Sequence, residues 1–285
     1  RPLTQPTVLV PLDGSAAARA ALPVARALAA GLQATLCLVY VTHVVEPVPP
    51  LAAHLGLEPR DLRGAALRQL HGDPGEGIAR AAAEVGAALL VMGTHPRPAD
   101  TAPAGPTVQE VLRQAPCPVV LVRQGVEQRF HPAHPRVRRL LFPVDGAPET
   151  AQSSCPIAAL AQRTGAEVLV LHVAAPHGGA ATGQGTLRAP RYVDQPQHEW
   201  PAWAHEFLER LYACLGWRPL PLRLLVRHGE PAQEVVQAAA EVNADLVALV
   251  WHGSLEEGRA PVLRRVLREA WAPVMLVRAA PSPGG

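Results

Sequence analysis

Side chains that could act as nucleophiles are few, and they stand in no recognisable catalytic arrangement. Ser153, Ser154 and Cys155 lie inside or at the edge of a predicted helix, but no motif gives them a catalytic context. Cys37 lies in an apolar stretch that is typical of a strand, which favours a small core residue over a redox role. The sequence therefore predicts a protein that is not an enzyme.

Two further patterns have the spacing of ligand-binding motifs but lack the residues that such motifs need. His131 and His134 form an H-x-x-H pair between prolines, whereas a metal site needs three or four converging ligands. Gly178 and Gly183 have the spacing of a phosphate-binding loop, but Gln184 stands where that loop requires lysine. We therefore expect no metal, and we interpret these segments as linker and loop.

Composition and charge exclude several classes of partner. The 285 residues contain 26 basic side chains, all of them arginine, against 24 acidic ones, so the net charge is +2. This balance disfavours nucleic-acid binding, and the arginines of LRRVLREA (263–270) have the spacing of a solvated helix face. No apolar run is long enough to span a membrane, and no signal segment is recognisable, so we expect a cytoplasmic location and no membrane partner.

Short apolar runs alternate with helical patterns, and these elements must position any site. Residues 8–12 and 35–41 predict strands, and the alanine-rich stretch over 15–30 predicts the helix between them. Helical patterns follow at 77–85 and 107–115, with further apolar strands, ALLVM and PVVLVR, after them. Strands that alternate with helices indicate a parallel sheet with helices on both faces.

The chain repeats itself, so each half holds one copy of this arrangement. The Asp13-Gly14 turn after the first strand aligns with Asp145-Gly146 in the second half. The aligned blocks are residues 7–41 with 139–173, 71–95 with 228–252, and 108–123 with 263–278. The repeat predicts an α/β fold of two doubly wound domains, and a chain of this length suits two domains.

Composition also marks the boundaries between these units. Residues 125–136 contain prolines that disfavour helix and strand, and we interpret them as a linker between domains at 1–124 and 137–285. The second half contains an insertion near 174–198 that is rich in Gly, Pro and Ala. Its composition predicts a loop, which leads into a helix near 199–215.

Four ordered motifs, found in both halves, resemble the universal stress protein family. In the first half they are the Asp-Gly-Ser turn at 13–15, the Gly-Asp-Pro turn at 72–74, the strand end VMGTH (91–95) and the closing segment VLRQAPCPVVLVR (111–123). Any one of them alone is a weak signal. Together they cover nearly all of both halves, so the chain is similar to a tandem protein of two such domains.

The resemblance implies a five-stranded parallel sheet of strand order 3-2-1-4-5 in each half. It also implies that the two domains pair within the molecule through their last strands, here residues 118–123 and 273–278. Physical chemistry agrees, because an unpaired apolar strand at the end of a sheet is an open edge. Nucleotide-binding members of the family hold ATP at the carboxyl ends of strands one and four, the usual crevice of such sheets.

The phosphate-binding loop that the resemblance implies is incomplete in the first half. ATP-binding members carry Gly-x-x-Gly, nine residues, then Gly-Ser or Gly-Thr, so that backbone N–H groups and a helix N-terminus bind phosphate. This sequence keeps Gly93 and Gly105 but has Pro96 at the second glycine and Pro106 at the hydroxyl position, with Thr107 one residue later. Each lost donor to phosphate is worth ~1.5–3 kcal/mol, so losing two would weaken ATP binding by about two to four orders of magnitude.

The second half departs further from this pattern. Val250 replaces the first glycine, the bulky Trp251 follows it, and Gly253 is retained. Ala260-Pro261 closes a shorter loop. We expect the side chains of Val250 and Trp251 to intrude where backbone must approach the phosphates, which makes nucleotide binding there unlikely to be tight.

The resemblance also assigns an adenosine end to each site, with Asp13 on the adenosine and backbone groups of Val41 facing the base. The first-half candidates are Pro11, Leu12, Asp13, Val41, Met92, Gly93, His95, Gly105 and Thr107. The second-half candidates are Asp145, Val173 and Gly253. An alternative interpretation of both aspartates is that each caps the first helix of its half, which is worth ~1 kcal/mol.

Three hypotheses of function remain open at this point. The first is a non-catalytic stress-response or regulatory protein with weak or no ATP binding, whose possible ligand is an adenine nucleotide or similar small molecule in the first domain. The second is a sensor whose first domain alternates between ATP and ADP. The third is an interaction scaffold with both pockets empty, in which the insertion near 174–198 contacts an unknown protein partner.

Overall fold

The strands of both halves form one ten-stranded sheet in the computed structural model of the chain. The structure describes residues 5–44, 51–95, 104–130, 136–145, 150, 153–174, 207, 209–214, 218, 220–251, 253 and 260–279. The sheet order is β3-β2-β1-β4-β5-β10-β9-β6-β7-β8, so each half has the predicted order 3-2-1-4-5. The predicted α/β class is confirmed, and the two sheets are joined edge to edge.

The first half contributes five strands and four α-helices. The strands are β1 (Thr7–Pro11), β2 (Thr35–Thr42), β3 (Ala65–His71), β4 (Ala87–Thr94) and β5 (Val119–Arg123). The helices are α1 (Ala16–Leu32), α2 (Leu51–His54), α3 (Pro74–Glu84) and α4 (Pro106–Gln114), with a 3-10 turn at Pro59–Leu62.

The second half repeats the five strands and three of the helices. The strands are β6 (Arg139–Val144), β7 (Glu167–Ala174), β8 (Leu222–His228), β9 (Leu246–Trp251) and β10 (Val274–Arg278). The helices are α5 (Cys155–Thr164), α6 (Pro231–Glu241) and α7 (Pro261–Glu269). Residues 209–214 are also helical, within the helix predicted near 199–215.

The Gly-Asp-Pro turn of the first half and its Gly-Glu-Pro counterpart at 229–231 begin helices because each supplies a cap followed by a proline. Asp73 caps α3 by accepting from the N–H of Gly75 at 2.9 Å, and Pro74 takes the first helical position. Glu230 caps α6 in the same way, ahead of Pro231. Proline suits this position because its missing N–H would have no helical partner there.

The two halves pair through their last strands, as predicted. Strands β5 and β10 run antiparallel, with Val120 opposite Met275, and all other strand pairs are parallel. Both Val120 and Met275 are fully buried. The pairing therefore removes the two apolar strand edges that separate halves would expose.

Arginines at the ends of these two strands donate hydrogen bonds to backbone carbonyls of the opposite half. Arg123, at the end of β5, donates from Nη2 to the carbonyl of Ala270 at 2.9 Å and stacks over the Trp271 ring at 5.2 Å. Arg278, at the end of β10, donates from Nη1 to the carbonyl of Arg113 at 2.8 Å. Each cation thus lies at the carboxyl end of the last helix of the opposite half, where the helix dipole favours positive charge.

The linker is more ordered than the sequence predicts. Residues Val126–Arg129 form a 3-10 turn, and Val126 and Phe130 are buried. Arg129 donates from Nη1 to the carbonyls of Ala244 and Trp271 at 2.9 and 2.7 Å. The prediction that this segment avoids helical structure was wrong for its first part, because two apolar side chains anchor it. His131 and His134 lie outside the described residues.

A disulfide joins Cys155 to Cys214 across 59 residues of sequence. It ties the first residue of α5 to the helical residues at 209–214. The predicted insertion near 174–198, with Gly178 and Gly183, lies almost entirely outside the described residues. The other two cysteines are free, and Cys37 is buried among strand residues, as predicted.

Candidate functional site

All nine residues predicted for the first-half site line one cavity of about 270 Å³. The cavity lies at the carboxyl ends of β1 and β4, between the first residues of α3 and α4. The nine are Pro11, Leu12, Asp13, Val41, Met92, Gly93, His95, Gly105 and Thr107. The topology places them together because the carboxyl ends of parallel strands meet at one edge of the sheet.

Asp13 does not cap α1, so that alternative interpretation was wrong. The cap is Ser15, whose hydroxyl accepts from the N–H of Ala18 at 3.0 Å. Asp13 instead accepts from the N–H of Ser15 at 2.9 Å, which holds the turn between β1 and α1. Its side chain is exposed and lines the cavity, so its carboxylate is placed to meet a ligand.

The helix N-terminus on the other side of the cavity carries no side-chain cap from any described residue. Gly105 is the N-cap of α4 in an extended conformation, and Pro106 follows as the first helical residue. Thr107 contributes a hydroxyl to the cavity. Because uncapped N–H groups and the helix dipole attract oxygen atoms, this is the most favourable wall for an anion or a hydroxyl. Pro96 lies outside the described residues.

Gly93 is required for the wall between β4 and α1. A Cβ atom at this position would lie 1.8 Å from the carbonyl oxygen of Ala17 and 2.8 Å from the Cα of Ala18. No side chain fits, so the end of β4 and the first turn of α1 touch through backbone. The same close approach leaves the backbone of Gly93 facing the cavity.

A second and larger cavity, of about 480 Å³, occupies the equivalent crevice of the second half. Asp145 and Val173 line it, as the repeat predicts. Gly253 is described but is not among its lining residues, so the structure does not bring together the three candidates of this half. The described residues that line this cavity are mostly apolar, with Val250 and Trp251 in its wall.

The described contact of Asp145 is with a side chain five residues later in the chain. It accepts from the hydroxyl of Thr150 at 2.7 Å, whereas α5 begins at Cys155 with Ser154 as its N-cap residue. The equivalent helix of the first half begins directly after the Asp-Gly-Ser turn.

Burial perturbs two titratable groups near the sheet. Burial lowers the pKa of His172, on β7, despite opposing contributions from a backbone hydrogen bond with Val144 and from the charge of Asp145. Burial raises the pKa of the Cys117 thiol to about 12, which keeps it protonated and unreactive. Neither group lines either of the two cavities described above.

Several residues that line the first-half cavity were not predicted from the sequence. Ile78 on α3 and Val108 on α4 supply apolar surface, and Ser15 supplies a hydroxyl. The helical spacing of Ile78 and Val108 predicts only that each faces the sheet. That α3 and α4 both face the same crevice follows from the fold and not from the local sequence. Among the described residues, no group of three or more His, Cys, Asp or Glu could hold a metal ion. None of the described helices combines the length and apolarity that crossing a membrane requires.

The fold is that of a duplicated α/β protein, with an equivalent crevice at the carboxyl ends of the strands in each half. The model of the universal stress protein family matches residues 60–123 and 136–278. These segments are well over half of the chain, and they include the ends of β4, β5, β9 and β10. The chain belongs to the universal stress protein family.

Solved structures show the same fold over the whole chain. A universal stress protein from Archaeoglobus fulgidus DSM 4304 is 14% identical, with a TM-score of 0.61 over 96% of this chain and 96% of that one. A functionally unknown protein from Pseudomonas aeruginosa PAO1 is 18% identical, with a TM-score of 0.61 over 97% of this chain and 93% of that one. No curated protein sequence matches the chain.

Proposed function

We propose that this protein is a non-catalytic stress-response or regulatory protein whose first half binds an adenosine-type ligand and binds ATP only weakly. The observation that carries the proposal is the single cavity formed by all nine predicted residues. Asp13 stands on one side of it, and the uncapped N-terminus of α4 on the other. A nucleoside needs polar groups at these two ends and an apolar wall between them, which Val41 and Met92 supply.

Weak binding of the triphosphate follows from the donors that the sequence lacks. Pro106 has no N–H at the first position of α4, and Pro96 has none at the second glycine of the loop pattern. Thr107 and the backbone of Gly93 and Gly105 remain as phosphate contacts. A volume of about 270 Å³ also lies at the small end of ligand pockets, which favours a nucleoside or monophosphate over ATP.

Native mass spectrometry of freshly purified protein tests this proposal against the two alternatives. We expect the bare chain mass, and a thermal shift with millimolar adenosine or AMP. Retained ATP or ADP at one per chain would favour the sensor hypothesis instead. A co-purified protein at fixed ratio, with no thermal response to any adenine compound, would favour the scaffold hypothesis.

We also propose that the protein acts in the cytoplasm. A reducing compartment would keep Cys155 and Cys214 as thiols, whereas an oxidising one would preserve their disulfide. Trapping thiols by rapid alkylation in intact cells therefore tests the location. Alkylation of both cysteines is the expected result, and a protected disulfide in cells would contradict a cytoplasmic location.

A further inference from the structure

The second-half cavity differs from the first in size and in the chemistry of its walls. It measures about 480 Å³, against about 270 Å³. Among the described residues that line it, Asp145 is the one charged side chain and Thr150 the one other polar side chain. The rest are aliphatic residues, prolines and one tryptophan, including Leu171, Val250 and Trp251.

A glycine of the first-half wall is replaced by a valine in the second half. Gly93 pairs with Val122 across β4 and β5, and Val250 pairs with Val277 across β9 and β10, so the glycine and the valine are equivalent. The first half tolerates no Cβ at Gly93, because the carbonyl of Ala17 lies where it would stand. At the equivalent position of the second half, the side chain of Val250 lines the crevice.

The helix N-terminus beside this crevice is uncapped by any described side chain, as in the first half, but Val262 stands where the first half has the hydroxyl of Thr107. Glu230 accepts from the N–H groups of Ala232 and Gln233 at 3.0 and 2.9 Å, so its carboxylate occupies the N-terminus of α6. No arginine or histidine lines this cavity among the described residues. An anion entering it would lose water and meet the carboxylate of Asp145.

We propose that this second-half crevice binds a compact aromatic amine that carries no phosphate. Its ring would lie against Val250 and Trp251, where burial of apolar surface favours it. Its ammonium or N–H would donate to Asp145. The carboxylate also accepts from the hydroxyl of Thr150 at 2.7 Å.

Calorimetric titration of the full chain with three related probes tests the proposal. The probes are tryptamine, indole and indole-3-acetate, which share one ring system and differ in charge. We expect one tryptamine per chain, bound about tenfold more tightly than indole, because a hydrogen bond to a charged group is worth about one order of magnitude. Indole-3-acetate should bind more weakly than indole. Equal binding of all three, or no binding of tryptamine, would overturn the proposal.

Two variants locate the binding, and a third serves as the control. Asp145→Asn keeps the size of the side chain and should abolish the preference for tryptamine over indole-3-acetate. Val262→Trp, at the start of α7, fills the cavity and should abolish binding of all three probes. Gln114→Trp adds an exposed indole to α4, away from both cavities, and should leave the titration unchanged.

The thermal midpoint of each variant shows whether it folds. If Val262→Trp unfolds, the preference of Asp145→Asn for tryptamine over indole-3-acetate still tests the proposed site. A preference for tryptamine that survives Asp145→Asn would assign binding elsewhere and refute the site. The inference is independent of the proposed function, since adenosine titrations report on the first-half cavity and the indole series on the second.

Discussion

Gly93, where the end of β4 touches the first turn of α1, gives the most direct test of how the first-half site is built. In Gly93→Ala, the new methyl group would lie 1.8 Å from the backbone carbonyl oxygen of Ala17. No rotation of a side chain relieves that clash, so either α1 or the end of β4 must move. Overpacking of this kind costs about 1–3 kcal/mol, and we expect the upper end of that range because the opposing atom belongs to backbone.

Gly77→Ala is the matched control for this substitution. Its added methyl group would lie 2.6 Å from Cγ1 of Val41, a smaller overlap that meets a side chain and not the backbone. Alanine also favours the helix α3 by about 1 kcal/mol over glycine, which offsets the contact. We therefore expect the free energy of unfolding of this variant to lie within about 1 kcal/mol of the parent chain.

Urea denaturation followed by circular dichroism measures both changes. For Gly93→Ala we expect the free energy of unfolding to fall by about 3 kcal/mol, with an unchanged dependence on urea concentration. We also expect this variant to lose the thermal shift that adenosine induces. Equal losses for the two variants would refute the argument, because they would mean that the backbone contact at Gly93 carries no special constraint. A stable Gly93→Ala variant would refute it equally.

Three further predictions concern other parts of the molecule. Replacing both Cys155 and Cys214 by serine should lower the free energy of unfolding by up to about 4 kcal/mol, the loop-closure value for 59 residues. Peptide mapping without reductant checks the bond, and alkylation of both thiols in the oxidised native protein would contradict it. Because burial lowers the pKa of His172 in the folded state, its neutral form favours folding above the unfolded value near ~6.5, and that contribution is lost as the pH falls below it. Acid titration of stability should therefore fall less steeply in His172→Gln, and parallel curves would exclude this residue as the cause. Arg123→Ala should lower the free energy of unfolding by about 2 kcal/mol, because it removes a partly buried charged donor. Arg278→Ala, at an exposed position, should lower it by less than about 1 kcal/mol. Urea denaturation of both variants compares the two losses, and equal losses would contradict the argument.

The strands at the centre of the sheet could be predicted because their apolar runs are continuous. Strand β1 carries Val8, Leu9 and Val10 in sequence, all fully buried between layers of helices. The pattern of β3 (Ala65–His71) is half polar, and the residues alone did not indicate a strand there. An edge strand is exposed on one side, so that arginine and glutamine are tolerated and the apolar signal weakens.

The site was predictable as far as the repeat and the family motifs reach. Those motifs mark the strand ends, and the topology then brings the marked residues together around one cavity. The capping role of Ser15 in place of Asp13 was not predictable, because both residue types cap helices and only backbone direction decides between them. The contact of Arg123 with Ala270 joins residues that are remote in sequence, and no local pattern encodes it.

The two crevices differ in size and in the side chains that line them. A duplicated chain can keep one copy of a site and change the other, provided that both copies still fold and pair. Here the pairing of β5 with β10 is preserved, while the equivalent cavities differ in size and polarity. We therefore expect the two halves to bind different classes of ligand.

The central claim is that the first-half cavity binds adenosine but lacks the N–H donors needed to bind the phosphates of ATP tightly. Calorimetric titration of the full chain with adenosine and with ATP, in the presence of magnesium, tests it most directly. We predict a ratio of the two dissociation constants within about tenfold, since Pro96 and Pro106 lack the N–H donors that would strengthen the binding of the phosphates. ATP binding a thousandfold tighter than adenosine would contradict it.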